Sequence, residues 1–520
     1  MKRENNLALL KNPEMIWDLA IIGGGSSGLG VALDALSRGL KVALFEKADF
    51  AKGTSSRSTK LVHGGVRYLA QGDVMLVLEA LKERGRLLQN APHVTFDQPF
   101  IIPIYSFFDR LKYTVGLKIY DWMAGKLRIG KSLFLSKEET LQRLPKVREK
   151  GLLGGVVYHD GQFDDARLAL NLAQTCHAMG GCVLNYAKVN QLTKDASGII
   201  DGVLVKDLVG NRNLKIKAKA VINATGVFAD KINRMDIPGT PKSIQPSQGI
   251  HLVMDPSFLG GSDALMIPET SDGRVLFAVP WHGKLVVGTT DTIREKPKLE
   301  PEPLEKEIEF VLKTAGDYLT QKPTRQDVLA AFAGLRPLAA PKEGSTKTKE
   351  ISRSHKVLVS KSHLITITGG KWTTFRKMGE DTVDAFYRTK GIAKATSQSA
   401  NIKIHGYTEN PVQGHLSIYG QDAYKITELE KQNPAWSTPI HPKYPYTAAE
   451  VIWAARNEMA VKVEDVLSRR TRLLILDANA ALEAAPRVAE LMAEELGKDQ
   501  AWISAELEDF DKLAKKYIIN

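Results

Sequence analysis

The chain has 520 residues, of which 43% are hydrophobic and 25% charged; this composition excludes a disordered chain, and the length allows two to four domains. The net charge of +12 is compatible with an acidic substrate, an anionic cofactor, a membrane surface or nucleic acid. Two cysteines exclude a disulfide framework and a cysteine-rich metal centre. Residues 1–19 lack the apolar core and cleavage site of a signal peptide, so we expect a cytoplasmic-facing protein without a metal site.

The first predicted unit is a strand, a glycine-rich turn, a helix and a second strand within residues 18–46. Gly23, Gly25 and Gly28 form a G-x-G-x-x-G pattern: the first allows a tight turn, the second admits a pyrophosphate and the third lets helix and strand pack closely. The N-terminus of the helix attracts the diphosphate. Glu46, which ends the second strand, is placed to accept hydrogen bonds from ribose hydroxyls. The pattern predicts a dinucleotide site and favours NAD or FAD over NADP.

A loop of small hydroxyl residues over 52–60 decides between these two cofactors. An NAD-binding domain would continue with another strand and helix here, whereas this loop and the following His63, Gly64 and Gly65 suit an extended cofactor. We therefore expect FAD; an ordinary surface loop is the alternative.

Two later glycine turns fit the same predicted sheet. A strand over 219–224 ends in the Ala-Thr-Gly sequence that closes with Gly226, and a strand over 364–368 leads through Gly370 into a helix over about 375–387. The second helix N-terminus is suited to stabilise the negative charge of a reduced flavin. Three separated glycine turns predict one discontinuous cofactor domain.

The segment 98–134 is rich in aromatic and basic residues. It contains eight aromatic side chains, six lysines or arginines and two aspartates. Aromatic and basic residues without a continuous apolar span are typical of a surface that lies in a membrane interface. The alternative is a core helix pair with basic faces toward solvent.

The C-terminal part is predicted to be helical after about residue 394. Helices are expected over 450–458, 463–476 and 480–496, the last kinked or restarted at Pro486. Three arginines in the second helix could face nucleic acid, but no aromatic residues or reading motif accompany them, so packing or an interface is preferred. They are Arg469, Arg470 and Arg472.

Four segments together resemble FAD-dependent sn-glycerol-3-phosphate dehydrogenases of the aerobic respiratory type. They are the Ile-Gly-Gly-Gly turn at 22–25, the segment 54–69 ending H-G-G-V-R-Y-L, G-L-R-P-L at 334–338 and G-G-K-W-T-T-F-R at 369–376. The resemblance covers about residues 15–390 in order, and the stretch 465–473 is similar to the helical C-terminal domain of the same family.

The resemblance implies an α/β fold with three domains. A glutathione-reductase-like FAD-binding Rossmann domain would comprise residues 1–97, 151–235 and 357–395. An α+β cap, or substrate, domain with an antiparallel sheet would comprise 98–150 and 236–356. A helical domain would comprise 396–520.

The implied reaction is oxidation of glycerol 3-phosphate to dihydroxyacetone phosphate by hydride transfer to FAD N5, with electrons passed to a membrane quinone. The protein would then lie peripherally on an anionic membrane surface, on the cytoplasmic side; nucleic acid is not expected, and a homodimer is left open. The alternatives are a glycerol-3-phosphate oxidase that uses oxygen, another FAD-dependent oxidase of the amine or amino-acid type, and a flavin-binding regulator without turnover.

The predicted substrate site is basic. Arg336 lies in a small-residue turn where an arginine fork suits a phosphate, and the alternative for it and for Lys371 is a surface salt bridge. His251 is predicted to be the catalytic base, with Arg336 as the second catalytic residue, although a lone histidine in an apolar strand is more often a core residue; His63 is the competing base. Gln248 stands where the resemblance implies a basic residue. The predicted substrate-binding residues are Arg67, Tyr68, Arg336, Arg353 and Lys371, of which Arg353 also fits a solvated basic loop.

The residues expected to contact FAD lie on the glycine turns, on the hydroxyl-rich loop and beside the second strand. They are Gly23, Gly25, Ser27, Gly28, Glu46, Lys47, Thr54, Ser55, Ser58, Lys60, Leu61, His63, Gly64, Gly65, Val189, Ala224, Gly226, Gly370, Lys371, Thr373 and Thr374.

Overall fold

The structure, a computed structural model, describes residues 1–12, 14–65, 73–271, 273–340 and 354–519. Two β-sheets and a C-terminal group of helices organise these residues. The α-helices of this part of the chain are α1 Arg3–Leu9, α2 Ser26–Ser37, α3 Val74–Asn90, α4 Phe107–Ala124, α5 Lys137–Arg143, α6 Asp165–Ala178, α7 Ala229–Asp236, α8 Glu305–Tyr318, α9 Phe375–Lys390, α10 Ala423–Gln432, α11 Ala448–Asn457, α12 Val463–Asp465, α13 Leu473–Leu476, α14 Ala478–Leu496 and α15 Gln500–Ala514.

The first sheet is mainly parallel and carries the glycine turns. Its strands are β1 Ile16–Ile22, β2 Val42–Phe45, β7 Cys182–Leu184, β8 Ala187–Lys194, β9 Ile200–Asp207, β10 Arg212–Asn223, β17 Lys356–Val359 and β18 Ile365–Thr368. The order β18-β10-β1-β2-β7 is parallel throughout, while β17, β9 and β8 add antiparallel pairs at the edges. Parallel strands are buried on both faces, which explains the apolar run 19–22 at the end of β1 and the apolar sequence of β2.

The second sheet is mainly antiparallel. Its strands are β3 Leu61–Val62, β4 Thr95–Ile104, β5 Leu133–Leu135, β6 Gly154–Phe163, β11 Ile244–Met254, β12 Ala264–Ile267, β13 Leu276–Trp281, β14 Lys284–Gly288, β15 Thr292–Ile293 and β16 Val328–Ala339. β11 lies between β14 and β16, with His251 opposite Phe332 and Ser247 opposite Arg336. β3 and β6, which fall within the ranges expected for the FAD domain, pair in this second sheet, and the domain boundaries stay a prediction.

Apolar cores on both sheets hold these layers together. The helices α2, α6 and α9 cover one face of the first sheet, and the apolar side chains of β8, β9 and α1 cover the other. The C-terminal helices pack their apolar faces on the second sheet, where they contact Phe332, Trp281 and Val253. The carboxyl ends of β1, β10 and β18 therefore open toward the second sheet, at the kind of edge where open parallel sheets bind ligands.

The C-terminal helices differ from the predicted pattern in two places. The stretch 463–476 is not one helix, because α12 passes into a π-helical segment, Val466–Arg470, and Arg472 then adopts the left-handed region with φ of +64°. By contrast, α14 runs unbroken through Pro486; the apolar residues that it buries on both sides of the proline offset the lost hydrogen bond.

Candidate functional site

Three glycines shape the turn between β1 and α2. Gly23 has a φ of +113°, and a Cβ at this position would lie 2.6 Å from the carbonyl oxygen of Ala224. A Cβ at Gly25 would lie 2.9 Å from Ser55 Oγ, and one at Gly28 would lie 1.9 Å from the Gly23 oxygen. A side chain at any of these positions would therefore displace its neighbours, and the backbone is left open for close approach of a ligand.

The N-terminus of α2 has the geometry of a diphosphate site. The helix begins at Ser26, and Gly25 provides no side-chain cap for its first N–H groups. The Ser26 N–H donates to Ser55 Oγ at 2.9 Å, which ties the hydroxyl-rich loop to the turn. Ser27 and Gly28 follow in the first turn, where N–H groups and the helix dipole favour an anion.

Glu46, at the end of β2, is fixed by two backbone donors. Gly24 N–H donates to Oε2 at 2.8 Å and Ala48 N–H donates to Oε1 at 2.9 Å. Burial raises the pKa of this carboxyl group. Each oxygen keeps lone pairs for a ribose hydroxyl, so the site's residues fit a dinucleotide such as FAD. The neighbouring Lys47 points its ammonium at the ring of Phe228, 4.7 Å from the centroid.

The hydroxyl-rich loop turns some of its side chains away from this groove. Thr54 Oγ1 donates to the Leu335 carbonyl at 2.6 Å, which joins the loop to β16. Ser58 Oγ donates to Asp165 Oδ2 at 2.7 Å, and the fully buried Lys60 donates to the same oxygen at 2.8 Å. Because both side chains bond to Asp165, only the backbone atoms of Ser58 and Lys60 are available for the predicted contacts with FAD. Those contacts stay predictions.

A cavity of about 210 Å³ gathers residues from four distant parts of the sequence. It lies where the loop, β11, β16 and the turn before α9 meet. The residues that line it include Thr54, Ser58, Thr59, Leu61, His63, Gly249, His251, Gly334, Arg336, Gly370, Lys371 and Thr373. The structure thus places the predicted base, part of the predicted FAD-binding set and two of the predicted phosphate-binding residues, Arg336 and Lys371, around one space.

His251 has the environment of a neutral imidazole. Its side chain is 2% exposed and stacks on Phe332 at 4.8 Å between ring centroids. Burial lowers the pKa of His251 well below 6.5, and the positive charges of Lys60 and Arg336 lower it further. Nε2 lies 2.9 Å from Thr59 Oγ1, while the buried Nδ1 has no hydrogen-bond partner among the described residues. A neutral, desolvated imidazole can accept a proton near neutral pH.

Arg336 enters the cavity from β16. Nη1 donates to the Thr290 carbonyl at 3.0 Å and Nη2 donates to Thr289 Oγ1 at 3.1 Å. A Cβ at Gly249 would lie 2.4 Å from Nη2, so the glycine makes room for the guanidinium. The side chain is 26% exposed, which combines a fixed orientation with access for an anion.

The turn before α9 supplies the opposite wall. Gly370 has a φ of +78°, and a Cβ there would lie 2.5 Å from Met378 Sδ. Lys371 follows as the residue before a short 3-10 turn. Thr373 Oγ1 donates to the His63 carbonyl at 3.3 Å, and Thr374 Oγ1 donates to the Lys371 carbonyl at 3.3 Å.

The remaining predicted FAD contacts lie around the two sheets. Gly226 has a φ of +56° directly after β10 and the buried Ala224. Val189 is buried within β8. Gly64 donates its N–H to Asp160 Oδ1 at 3.2 Å, and a Cβ there would lie 2.3 Å from Tyr120 Oη.

Three predicted substrate-binding residues cannot be located. Arg67, Tyr68 and Arg353 lie outside the described residues.

Gln248 does not face the cavity. It is fully buried in β11, and Nε2 donates to Glu307 Oε2 at 2.7 Å. Gln248 therefore contributes nothing to the lining of the cavity. Glu307, Thr59 and Gly249 could not be predicted as site residues, because a lone hydroxyl, a lone glycine or a single acidic residue in a helix carries no local signal.

A buried ionic network lies behind the loop. Asp165, at the start of α6, accepts from Lys60 Nζ at 2.8 Å and from Arg472 Nη2 at 2.7 Å. Arg469 and Arg470 bond to the buried Asp49. These arginines pack inside the protein, as expected, and join the C-terminal helices to the first sheet. Burial lowers the pKa of Lys60 to about 8, against the opposing effect of Asp165.

Comparison with protein families gives two matches in chain order. Residues 18–376 match the family described as FAD dependent oxidoreductase, and residues 360–503 match the C-terminal domain of alpha-glycerophosphate oxidase. The mitochondrial glycerol-3-phosphate dehydrogenase of Bos taurus is 40% identical over 541 aligned positions, which cover 97% of this chain and 74% of that protein. The corresponding Homo sapiens protein is 40% identical over 532 positions, which cover 96% and 73%.

Solved structures agree with these matches. The structure of glycerol-3-phosphate dehydrogenase from Bacillus halodurans complexed with FAD superimposes with a TM-score of 0.81 at 30% identity, and covers 100% of this chain and 98% of that chain. The L-alpha-glycerophosphate oxidase of Mycoplasma pneumoniae with FAD bound gives a TM-score of 0.55 at 18% identity, covering 74% and 97%. At that identity the second match supports the fold alone.

Proposed function

We propose that this chain, which belongs to the FAD-dependent glycerol-3-phosphate dehydrogenase family, oxidises sn-glycerol 3-phosphate to dihydroxyacetone phosphate and passes the electrons to a membrane quinone. The family, the α/β fold class and the FAD cofactor expected from the sequence are confirmed. The roles of individual residues, the quinone and the membrane belong to the proposal.

FAD supplies the hydride acceptor when it is bound. The chain has to hold the cofactor in one orientation toward the substrate. The turn that contains Gly23, Gly25 and Gly28, together with the α2 N-terminus, would hold the diphosphate through backbone N–H groups. The Glu46 carboxyl group is fixed for the ribose. These features support binding of the adenosine half at the carboxyl ends of β1 and β2, and leave the 210 Å³ cavity for the reacting end.

His251 is proposed to take the proton of the C2 hydroxyl. Its Nδ1 atom is buried, so Nε2, beside Thr59 Oγ1, is the nitrogen that can reach a substrate. Because its pKa is lowered by burial, by Lys60 and by Arg336, the imidazole is neutral at pH 7 and ready to accept. Removal of this proton favours departure of the hydride from the same carbon.

Arg336 and Lys371 are proposed to bind the phosphate. Both line the cavity that His251 lines, and a guanidinium binds phosphate oxygens through two parallel donors while an ammonium adds a point charge. Their placement around one cavity together with His251 is the observation that carries the function. A phosphate dianion suits two cations, whereas the single carboxylate of an amino-acid substrate needs only one.

A quinone acceptor is supported by the surface of α4. This helix exposes apolar side chains at helical spacing, and Phe108 and Trp122 are 84% and 80% exposed. The other exposed apolar residues of the helix are Phe107, Leu111, Val115 and Ile119. Lysines and arginines accompany this face, which is the composition of a helix that lies in a membrane interface.

Met75, near the start of α3, is a further exposed apolar side chain, at 76%. Within the described residues no helix is long and apolar enough to cross a bilayer. The alternative for this segment, a core helix pair, does not match the structure: β4 ends at Ile104, and one α-helix, α4, follows before β5.

Anaerobic bleaching of the flavin tests the function. The yellow holoenzyme should lose its flavin absorbance when glycerol 3-phosphate is added without oxygen, and glycerol should act far less well because it lacks the phosphate. No bleaching would favour a flavin-binding regulator. Reoxidation by a ubiquinone analogue, faster than by air, would support the dehydrogenase; faster reoxidation by air would identify an oxidase.

A further inference from the structure

A buried carboxyl group lies behind Arg336. Glu307, in the first turn of α8, is 2% exposed and is not part of the cavity lining. It accepts three hydrogen bonds: from Gln248 Nε2 at 2.7 Å, from Thr290 Oγ1 at 2.9 Å and from Leu304 N–H at 3.0 Å. Three donors on one side chain hold its carboxyl group in a single orientation.

Thr290 connects this carboxyl group to the site. Its hydroxyl donates to Glu307 and accepts from the Ile250 N–H at 3.1 Å. Its carbonyl oxygen accepts from Arg336 Nη1 at 3.0 Å. The threonine is 3% exposed and bonds both to β11, beside His251, and to the guanidinium. Two hydrogen bonds in series therefore lead from Glu307 to Arg336.

Other groups also constrain Arg336: Asp291 Oδ1 lies 3.7 Å from Nη1. Nη2 donates to Thr289 Oγ1 at 3.1 Å, and Gly249 leaves the space that this nitrogen fills. A guanidinium is planar, so fixing two of its nitrogens fixes the direction of the whole fork. A rotation of the Thr290 peptide would turn the fork and weaken a bidentate contact with phosphate.

We infer that Glu307 is a positioning residue, which holds Thr290 so that Arg336 faces the substrate phosphate. This inference rests on the proposed role of Arg336 as a phosphate-binding residue. It also gives Gln248 a function: a neutral amide donor at this position orients the Glu307 carboxyl group from β11. The chemistry recognised is a phosphate monoester, and the effect is on its affinity more than on the chemical step.

Glu307→Gln tests the inference in the FAD-loaded full chain. The amide has the size of the carboxylate, but its NH2 group is a hydrogen-bond donor. That donor would face another donor, the Gln248 Nε2 or the Leu304 N–H. We expect the Ki of inorganic phosphate, measured as a competitive inhibitor, to rise about tenfold, the effect of disturbing one hydrogen bond to a charged group. The KM for glycerol 3-phosphate should rise similarly, and kcat should fall far less. Glu305→Gln is the matched control, because Glu305 lies on the same helix, is 59% exposed and pairs with Arg325.

Two variants of Thr290 keep the test decisive if Glu307→Gln folds poorly. Thr290→Val removes the hydroxyl and should raise the Ki of phosphate, whereas Thr290→Ser keeps the hydroxyl and should restore it. A fall in kcat with an unchanged phosphate Ki in both Glu307→Gln and Thr290→Val would overturn the inference, because a merely structural role has that signature.

Arg336→Lys distinguishes a failure of the inference about Glu307 from a failure of the proposed role of Arg336. If it raises the phosphate Ki while Glu307→Gln does not, the inference is wrong and the proposed function stands. If Arg336→Lys itself leaves the phosphate Ki unchanged, both the assignment of Arg336 and the inference fail.

Discussion

Replacement of His251 by glutamine is the most direct test of the proposed base. Glutamine is close to histidine in size, and its amide can donate to or accept from Thr59 Oγ1, which lies 2.9 Å from Nε2. It cannot accept a proton. The variant should therefore keep its fold and its cofactor while losing the proton transfer.

The magnitude follows from the protonation state in the folded protein. Burial, Lys60 and Arg336 lower the pKa of His251 well below 6.5, so essentially all of the wild-type enzyme carries the free base at pH 7. The full contribution of a general base, about 10²–10⁴ in rate, is then available to be lost. We expect the rate of flavin reduction in His251→Gln to fall about 10³-fold, or ~4 kcal/mol.

The assay is anaerobic stopped-flow reduction of the flavin at saturating glycerol 3-phosphate, followed as a function of pH. In the wild type the acid limb of the profile should lie below pH 6.5, since protonation of the base stops the reaction and its pKa is lowered. The stability contributed by keeping the imidazole neutral is present above pH 6.5 and is lost as pH falls below it. His177→Gln, at the end of α6, is the control substitution.

Two results would refute this reasoning. One is a His251→Gln rate within about threefold of the wild type, far below the contribution of a general base. The other is a larger loss in His63→Gln, which would move the base to the competing histidine on the loop.

Three further results follow from the structure. Asp165→Asn leaves two buried cations without their shared carboxylate, so we expect the free energy of unfolding to fall by about 3–5 kcal/mol, which lowers the melting temperature. An unchanged melting temperature would contradict a role of the network in holding the C-terminal helices. Replacing both Phe108 and Trp122 by serine should abolish sedimentation with anionic liposomes at low salt while leaving flavin reduction intact, and an equal membrane-bound fraction would exclude α4 as the membrane surface. Gly25→Ala places a Cβ 2.9 Å from Ser55 Oγ, which displaces the hydroxyl-rich loop from the turn, and should raise the Kd for FAD about tenfold or more, measured by flavin fluorescence; Gly53→Ala, where a Cβ meets nothing within 4 Å, should not.

Local motifs were sufficient to predict the cofactor domain. The glycine turn at 23–28, the acid at Glu46 and the turn at Gly370 each depend on backbone conformation and on a helix start close by in sequence. Such features depend on a few neighbouring residues, because the steric demand of a tight turn and the N–H groups of a helix are local. The resemblance of the longer motifs then extended the prediction to substrate and reaction.

Contacts between residues far apart in the sequence could not be predicted from local motifs. The orientation of Gln248 toward Glu307, the pairing of Arg472 with Asp165 and the hydrogen bond between Thr59 and His251 join residues that are 59, 307 and 192 positions apart. A buried amide, arginine or hydroxyl has the same sequence neighbours whether it faces a ligand or a carboxylate across the fold.

The net charge of +12 also shows what composition determines and what only folding decides. Composition alone left nucleic acid, membrane, substrate and cofactor as partners. Folding buries Arg469, Arg470 and Arg472 against aspartates, and leaves Arg336 and Lys371 on the cavity. Only the tertiary structure decides which cations are neutralised inside the protein and which meet a ligand, because desolvation and pairing depend on what the folded chain brings within a few ångströms of each charge.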